Sequence, residues 1–134
     1  MRRLWLSVLL LGLLSGCDKG PEVALVTGTV TIDGAPAGGL LVKFLPDPLS
    51  GTSGPSSFAM TADDGSYDLI YDKDNDLHGA VVGTHRVFFI DSAREDRPPG
   101  PRRLRPEYAS SGETPLTYEI VSGSQTIDID LKKP

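Results

Sequence analysis

The feature that most limits how this 134-residue chain can fold is a two-residue periodicity, broken at short intervals by turn residues. Near the C-terminus Ile127, Ile129 and Leu131 alternate with Asp128 and Asp130. Successive strand side chains point to opposite faces, so this alternation puts three aliphatics on a core and two carboxylates in water. Near the start, Val26, Gly28, Val30 and Ile32 share one face while Thr27, Thr29 and Thr31 share the other. Tyr67, Leu69 and Tyr71 repeat the pattern in the middle. Turn chemistry separates the runs: Asp33-Gly34 with Pro36, Asp63-Asp64-Gly65, and Ser122-Gly123-Ser124. Strands are predicted over residues 23–33, 40–45, 58–61, 66–71, 81–90, 116–121 and 126–131. With 15 glycines, 11 prolines and few long helical patterns, the chain reads as all-β, a seven-stranded antiparallel β-sandwich. Residues 49–57 read as a surface loop, 72–79 as an acidic loop and 91–106 as an extended excursion. Within this scheme His85 is expected to point outward from its strand and His78 to lie in a loop.

The N-terminus carries a different signal. Met1-Arg2-Arg3 precedes an apolar stretch from Leu4 to Leu14, then Ser15-Gly16-Cys17. The apolar stretch has the length of a signal-peptide core and is too short for a stable membrane span. The two arginines hold the start of the chain on the cytoplasmic side. Cys17 is the sole cysteine, so it has no partner for an internal disulfide. Leu14-Ser15-Gly16-Cys17 resembles a bacterial lipobox, in which the thiol receives diacylglycerol and the preceding peptide is removed. The resemblance implies lipidation of Cys17, with Leu14, Ser15 and Gly16 as the signal-peptidase motif. Each buried lipid methylene contributes about 0.8 kcal/mol, so two or three acyl chains hold a protein on a bilayer where one does not. The expected organisation is residues 1–16 as signal peptide, 17–22 as lipidated cysteine and tether, and 23–134 as one domain. Loss of Arg2 and Arg3 makes the remainder two charges more acidic than the formal −5. That balance argues against nucleic acid as a partner.

The strand and turn motifs also resemble a known group. Val26-Thr27-Gly28-Thr29-Val30-Thr31-Ile32-Asp33-Gly34-Ala35-Pro36 looks like the opening strand and turn of carboxypeptidase-regulatory-like domains. Thr61-Ala62-Asp63-Asp64-Gly65-Ser66-Tyr67 looks like their central hairpin, and Gly83-Thr84-His85-Arg86-Val87 like the entry to their fifth strand. Pro106-Glu107-Tyr108 matches an element ahead of their last two strands. Together with the lipobox, the chain is similar to small bacterial envelope lipoproteins built on one such domain. The resemblance implies a transthyretin-like or immunoglobulin-like sandwich and no catalytic activity. Transthyretin-like hydroxyisourate hydrolases end in tyrosine-arginine-glycine-serine. This chain ends in Leu131-Lys132-Lys133-Pro134, which removes a support for that enzyme reading.

Three sets of residues are candidates for chemistry. Asp72, Asp74 and Asp76 alternate as oxygen ligands of a hard cation such as calcium would. However, Leu77 and Gly83 stand where an EF-hand loop needs its glycine and its bidentate glutamate, so a solvated acidic turn is the simpler reading. His78 and His85 lie outside any zinc-binding pattern, and no G-x-S-x-G elbow accompanies the many serines and aspartates. Arg94, Arg97, Arg102, Arg103 and Arg105 form the main positive run on an acidic chain. They are a candidate contact for an anionic glycan, lipid headgroup or acidic protein, against the plainer reading of a solvated, proline-stiffened loop. In the turn, Asp63 or Asp64 is expected to accept from backbone amides ahead of it, while Gly65 adopts positive φ.

The expected function is a membrane-anchored, non-enzymatic lipoprotein of the bacterial cell envelope. It would face the periplasm or exterior and serve as a structural or protein-interaction module, with no cofactor beyond its covalent lipid. Its expected partners are the membrane, through the anchor, and an envelope protein or glycan. The alternative is a carbohydrate- or calcium-binding envelope lipoprotein. Trp5, the sole tryptophan, lies ahead of Cys17, so the processed chain would lack the usual sugar-stacking residue.

Overall fold

The computed structural model describes residues 20–92 and 101–134. Among them the chain is all-β, with twelve strand segments and two short 3-10 turns, Pro48–Ser50 and Pro106–Ala109. In chain order the strands are β1 (Val23–Ile32), β2 (Ala35–Pro36), β3 (Leu40–Pro46), β4 (Ser57–Met60), β5 (Ser66–Asp68) and β6 (Ile70–Tyr71). They continue with β7 (Asp74–His78), β8 (Ala80–Val81), β9 (Gly83–Asp91), β10 (Thr117–Ile120), β11 (Ser124–Thr126) and β12 (Ile129–Leu131). Two sheets share one core, the arrangement of a β-sandwich. The second sheet runs β10-β9-β3-β4-β6-β7, antiparallel throughout.

The first sheet is organised around β1. Along one edge β1 takes β8, β5 and β2 in turn, all antiparallel. Along the other it takes β11 and β12, both parallel to it. The two pair with β1 in one continuous register, Leu25 opposite Ser124 and Val30 opposite Ile129. The expectation of antiparallel pairing throughout is corrected at this edge. The first and last strands of the domain lie side by side and run the same way.

The seven predicted runs all contain strand, but three of them are split. The run 66–71 breaks at Leu69, where β5 belongs to the first sheet and β6 to the second. Leu69 is fully buried at that crossing; its amide donates to Val26 O at 3.0 Å and its carbonyl accepts from Gly79 N at 2.7 Å. The run 81–90 breaks at Val82, where β8 leaves the first sheet and β9 enters the second. The acidic loop expected over 72–79 is instead largely β7, an exposed edge strand hydrogen-bonded to β6.

The third break falls between β11 and β12 and has a steric cause. Gly28, midway along β1, faces the Ile127 carbonyl so closely that a Cβ there would collide with it. The Tyr67 hydroxyl, directly across from Gly28, donates to Ile127 O. Asp128 Oδ1 accepts from the Thr29 amide at 2.9 Å and so replaces a ladder bond lost at the break. One turn further, Asp130 accepts from Thr31 Oγ1 (2.7 Å), the Gly34 amide (2.9 Å) and Lys132 Nζ (2.8 Å). These three donors hold its carboxyl well below the usual carboxylate range, the lysine contributing most. The outward-facing aspartates of the last run therefore stitch β1 to β12.

The core fills as the alternation predicts. Val26, Val30 and Ile32 from β1 meet Leu40, Val42 and Phe44 from β3, Val87 and Phe89 from β9, and Ile129 and Leu131 from β12. His85 departs from its expected position. It is fully buried, in phase with Val87 and Phe89, because the strand's period rather than the residue's polarity sets its face.

The glycine at Gly28 is thus required by close backbone approach, and Gly65 (φ +82°) by a turn whose added Cβ would meet Val30 O. In that turn it is Asp64 rather than Asp63 that bonds forward, accepting from the Ser66 amide at 3.0 Å and its hydroxyl at 2.6 Å. Gly28→Ala and Gly65→Val are each expected to destabilise the domain by about 1–3 kcal/mol. Urea unfolding of the two variants beside wild type reads this directly. A midpoint unchanged in Gly28→Ala would show that the β1 break is not as described.

Candidate functional site

The strand directions give the molecule two distinct poles. β1 starts at Val23 and runs for ten residues, roughly 30 Å at strand rise. The chain enters the described structure at one pole, where Gly20 and Pro21 lie against the β6–β7 hairpin. The loops 47–56 and 121–123 lie at that same pole. The opposite pole carries the β1–β2 turn, the segment 101–116 and the C-terminus.

The candidate site is at this second pole. A groove of about 640 Å³ opens between the β1–β2 turn (Ile32, Ala35, Pro36, Ala37), the stretch Pro101-Arg102-Arg103 and the tail Lys133-Pro134. A second groove of about 510 Å³ lies on the other side of Arg102 and Arg103, against Ile90, Asp91 and Pro106. The two arginines form the ridge between them.

The segment is tied to the fold at several points. Arg103 Nε and Nη2 grip both carboxylate oxygens of Asp91 at 3.0 and 2.5 Å, and Nη1 donates to Gly38 O at 3.0 Å. The Asp91 carboxylate, bonded directly to the guanidinium, raises the arginine's pKa still further. Arg105 Nε donates to Lys133 O at 2.8 Å and pins the C-terminal tail beside the groove. Leu104 and Tyr108, between and after these arginines, are buried in the common core. The solvated-loop reading of this stretch is therefore corrected for Arg103, while Arg105 stays exposed. Arg102 and Lys133 remain exposed on the groove wall.

The other candidates are dispersed. Asp72, Asp74 and Asp76 lie along the β6–β7 hairpin. Asp72 faces Ser56 at 3.5 Å, and Asp74 accepts from the Asp76 amide at 3.0 Å, as in an ordinary turn. Among the described residues no group of three or more His, Cys, Asp or Glu side chains is placed to hold a metal ion. His78 Nδ1 meets Asp68 Oδ2 at 2.9 Å in a shallow groove also lined by Ser66. The Ser66 hydroxyl is committed to Asp64, so it is not aligned with the imidazole as a nucleophile would be. Cys17, Leu14, Ser15 and Gly16, and also Arg94 and Arg97, lie outside the described residues.

Sequence reasoning found the arginines but missed what they act with. Asp91 closes β9 and was read as the first residue of a loop. Lys133 and Pro134 form a groove wall only because β12 runs parallel to β1 and delivers the C-terminus to this pole.

His85 is the other missed feature. Its Nε2 donates to Val81 O at 2.7 Å, which leaves Nδ1 without a hydrogen-bond partner among the described residues. Burial pushes its pKa below the ordinary imidazole value, outweighing the backbone carbonyls of Val81 and Phe44.

The chain was compared with protein-family models, with curated proteins and with solved structures, and none of the three yields a match.

Two predictions follow from the polar groups. Arg103→Ala leaves the largely buried Asp91 carboxylate and Gly38 O without their donor. It is expected to cost about 1–2 kcal/mol, moderated by the water that already reaches the guanidinium. Thermal melts of this variant beside Arg102→Ala test it, the latter expected to be near neutral. For His85, the folded pKa lies below the unfolded one, so the unfolded chain binds more protons in the window between them. Stability then falls as pH drops through about 6.5, the ordinary imidazole value. A His85→Leu variant should lose that decline, read as the difference in melting temperature between neutral and mildly acidic buffer. Parallel declines in both proteins would remove His85 as the cause.

Proposed function

We propose that this chain is a lipid-anchored, non-enzymatic β-sandwich module of the bacterial cell envelope, facing the periplasm or exterior. The observation that carries this reading is the order Arg2-Arg3, apolar stretch, Leu14-Ser15-Gly16-Cys17. That order supplies a positively charged start, a short apolar core and a thiol behind two small residues. The domain begins at Val23 with only the short polar run 18–22 ahead of it, so an acyl group on Cys17 would hold the β6–β7 pole toward the bilayer. The arginine grooves would then face away from it. This orientation favours a soluble or wall-bound partner for those arginines over the headgroups of the anchoring membrane.

The finer fold reading belongs to the same proposal. Counting β5 with β6, β8 with β9 and β11 with β12 as single interrupted strands, and setting aside the short β2 and the edge strand β7, leaves the seven predicted runs. That count, together with the Asp64-Gly65 turn, supports a carboxypeptidase-regulatory-like, transthyretin-like domain. The proposal involves no catalytic group and no cofactor beyond the covalent lipid. The calcium alternative would rest on Asp72, Asp74 and Asp76 of the β6–β7 hairpin, where Asp72 faces Ser56 and Asp74 accepts from the Asp76 amide.

The test is expression of wild type and Cys17→Ser in a bacterial host, followed by membrane fractionation and mass spectrometry. Wild type should partition with membranes and begin at an acylated Cys17. Cys17→Ser should lack the lipid mass and keep its uncleaved N-terminus. A wild-type product that is unacylated and soluble would overturn the reading.

A further inference from the structure

We infer that the groove at the arginine pole binds an extended acidic peptide segment in which carboxylates flank an aliphatic side chain. The binding chemistry is independent of the anchor; only the groove's outward orientation rests on the lipoprotein reading.

Three observations converge on this partner. First, the groove's cations are divided by task. Arg103 is consumed by Asp91 and Gly38, and its ion pair makes the wall rigid. Arg102 and Lys133 stand exposed on the lining, contributed by two separate stretches of chain, and the hydrogen bond from Arg105 to the Lys133 carbonyl holds the second stretch in place. Two outward cations on a braced frame, on a chain of net charge −5, mark a place where a negative ligand is favoured locally although the molecule as a whole repels it. Second, apart from its cations the described lining is apolar, made of Ile32, Ala35, Pro36, Ala37, Pro101 and Pro134. An inorganic anion has no use for such a lining, whereas an aliphatic side chain between two carboxylates packs on it and removes apolar surface from water. Third, among the described residues the lining includes no aromatic ring. Sugar rings pack their C–H faces on aromatic platforms, so a polyanionic glycan would gain only the charge contacts. A peptide gains both. The groove's volume, about 640 Å³, suits one or two side chains rather than a folded partner surface.

The Arg102 guanidinium offers a planar fork for one carboxylate, and the Lys133 ammonium a point charge for the next. The contacts lie at the surface, so affinity should fall with salt.

The test uses the purified full chain in non-ionic detergent and fluorescence anisotropy. The probe is a fluorescein-labelled peptide of alternating glutamate and leucine. The comparison probes are a glutamate–serine peptide of equal charge and polygalacturonate. The expected result is saturable, salt-sensitive binding of the glutamate–leucine peptide, weaker binding of the other two, and a loss of roughly tenfold or more in Arg102→Gln/Lys133→Gln. Arg102→Lys/Lys133→Arg should retain most of the affinity, and all variants should melt as wild type does, since neither side chain's charge braces the fold. No saturable binding, binding unchanged in the neutralised variant, or equal or tighter binding of polygalacturonate would each overturn the inference. None of these outcomes bears on the lipidation of Cys17, which mass spectrometry reads separately.

Discussion

The whole domain depends on the seam where β1 meets the chain's last strands. β1 takes partners along both edges, five strand segments in all, and they come from residues 35 to 131. Nothing local in sequence assembles such a sheet. It forms only once the C-terminal run reaches a strand about a hundred residues earlier, a closure whose entropy rises slowly with loop length but is met in full before any contact is made. The seam is also imperfect. At Gly28 the ladder opens, the Ile127 carbonyl bends inward, and the gap is closed by the Tyr67 hydroxyl and the Asp128 carboxylate. Burial raises the pKa of the Tyr67 phenol, which keeps the hydroxyl protonated and able to donate. Gly28, Tyr67, Ile127 and Asp128, from three distant segments, thus meet at one point of the sheet. The break is a specified feature, because a side chain at position 28 would prevent it.

The parallel pairing at this seam has a geometric consequence for function. In an antiparallel closure the C-terminus would finish beside the start of β1. Because β12 runs with β1, the tail arrives at the opposite pole, next to the β1–β2 turn. There it becomes a wall of the arginine groove. The start of β1 at Val23 and the C-terminus are separated by the length of the sandwich, and whatever holds one pole leaves the other free to meet something else. The groove is therefore a product of topology as much as of composition: Pro36, Arg102 and Lys133 are brought together by strand direction alone.

How much of this was legible in the sequence depends on whether the deciding interaction is local. The strand runs were legible because each carries its own buried face; Tyr67, Leu69 and Tyr71 are all buried as their spacing requires. The crossings at Leu69 and Val82 were not, since a strand that changes sheet keeps its alternation and alters only its neighbours. β7 was missed for the opposite reason. All five of its residues are exposed, and an edge strand held by backbone pairing leaves no hydrophobic period to read. His85 is the instructive error. Its polarity suggested an outward position, but it lies in phase with Val87 and Phe89, and phase prevailed. Burying one imidazole with a single hydrogen bond costs less than shifting the whole strand by a residue and exposing two core side chains. In the candidate site, the arginines were visible as a run, while Asp91, Gly38 and the C-terminal tail became partners only in three dimensions.

The arginine segment shows why charge in a sequence does not by itself name a binding residue. Arg102 and Arg103 are neighbours with the same side chain. Arg103 is turned onto a carboxylate and a carbonyl, where its planar fork satisfies both Asp91 oxygens together. Its charge is neutralised within the fold, and what it contributes outward is rigidity. Arg102 stays exposed on the lining of both grooves, with its charge available to solvent. The buried Leu104 beyond them anchors the stretch to the core, and the Arg103–Asp91 pair anchors it to the end of β9. The division between a structural and an available arginine is thus decided by what each side chain meets: Asp91 and Gly38 O for Arg103, solvent for Arg102.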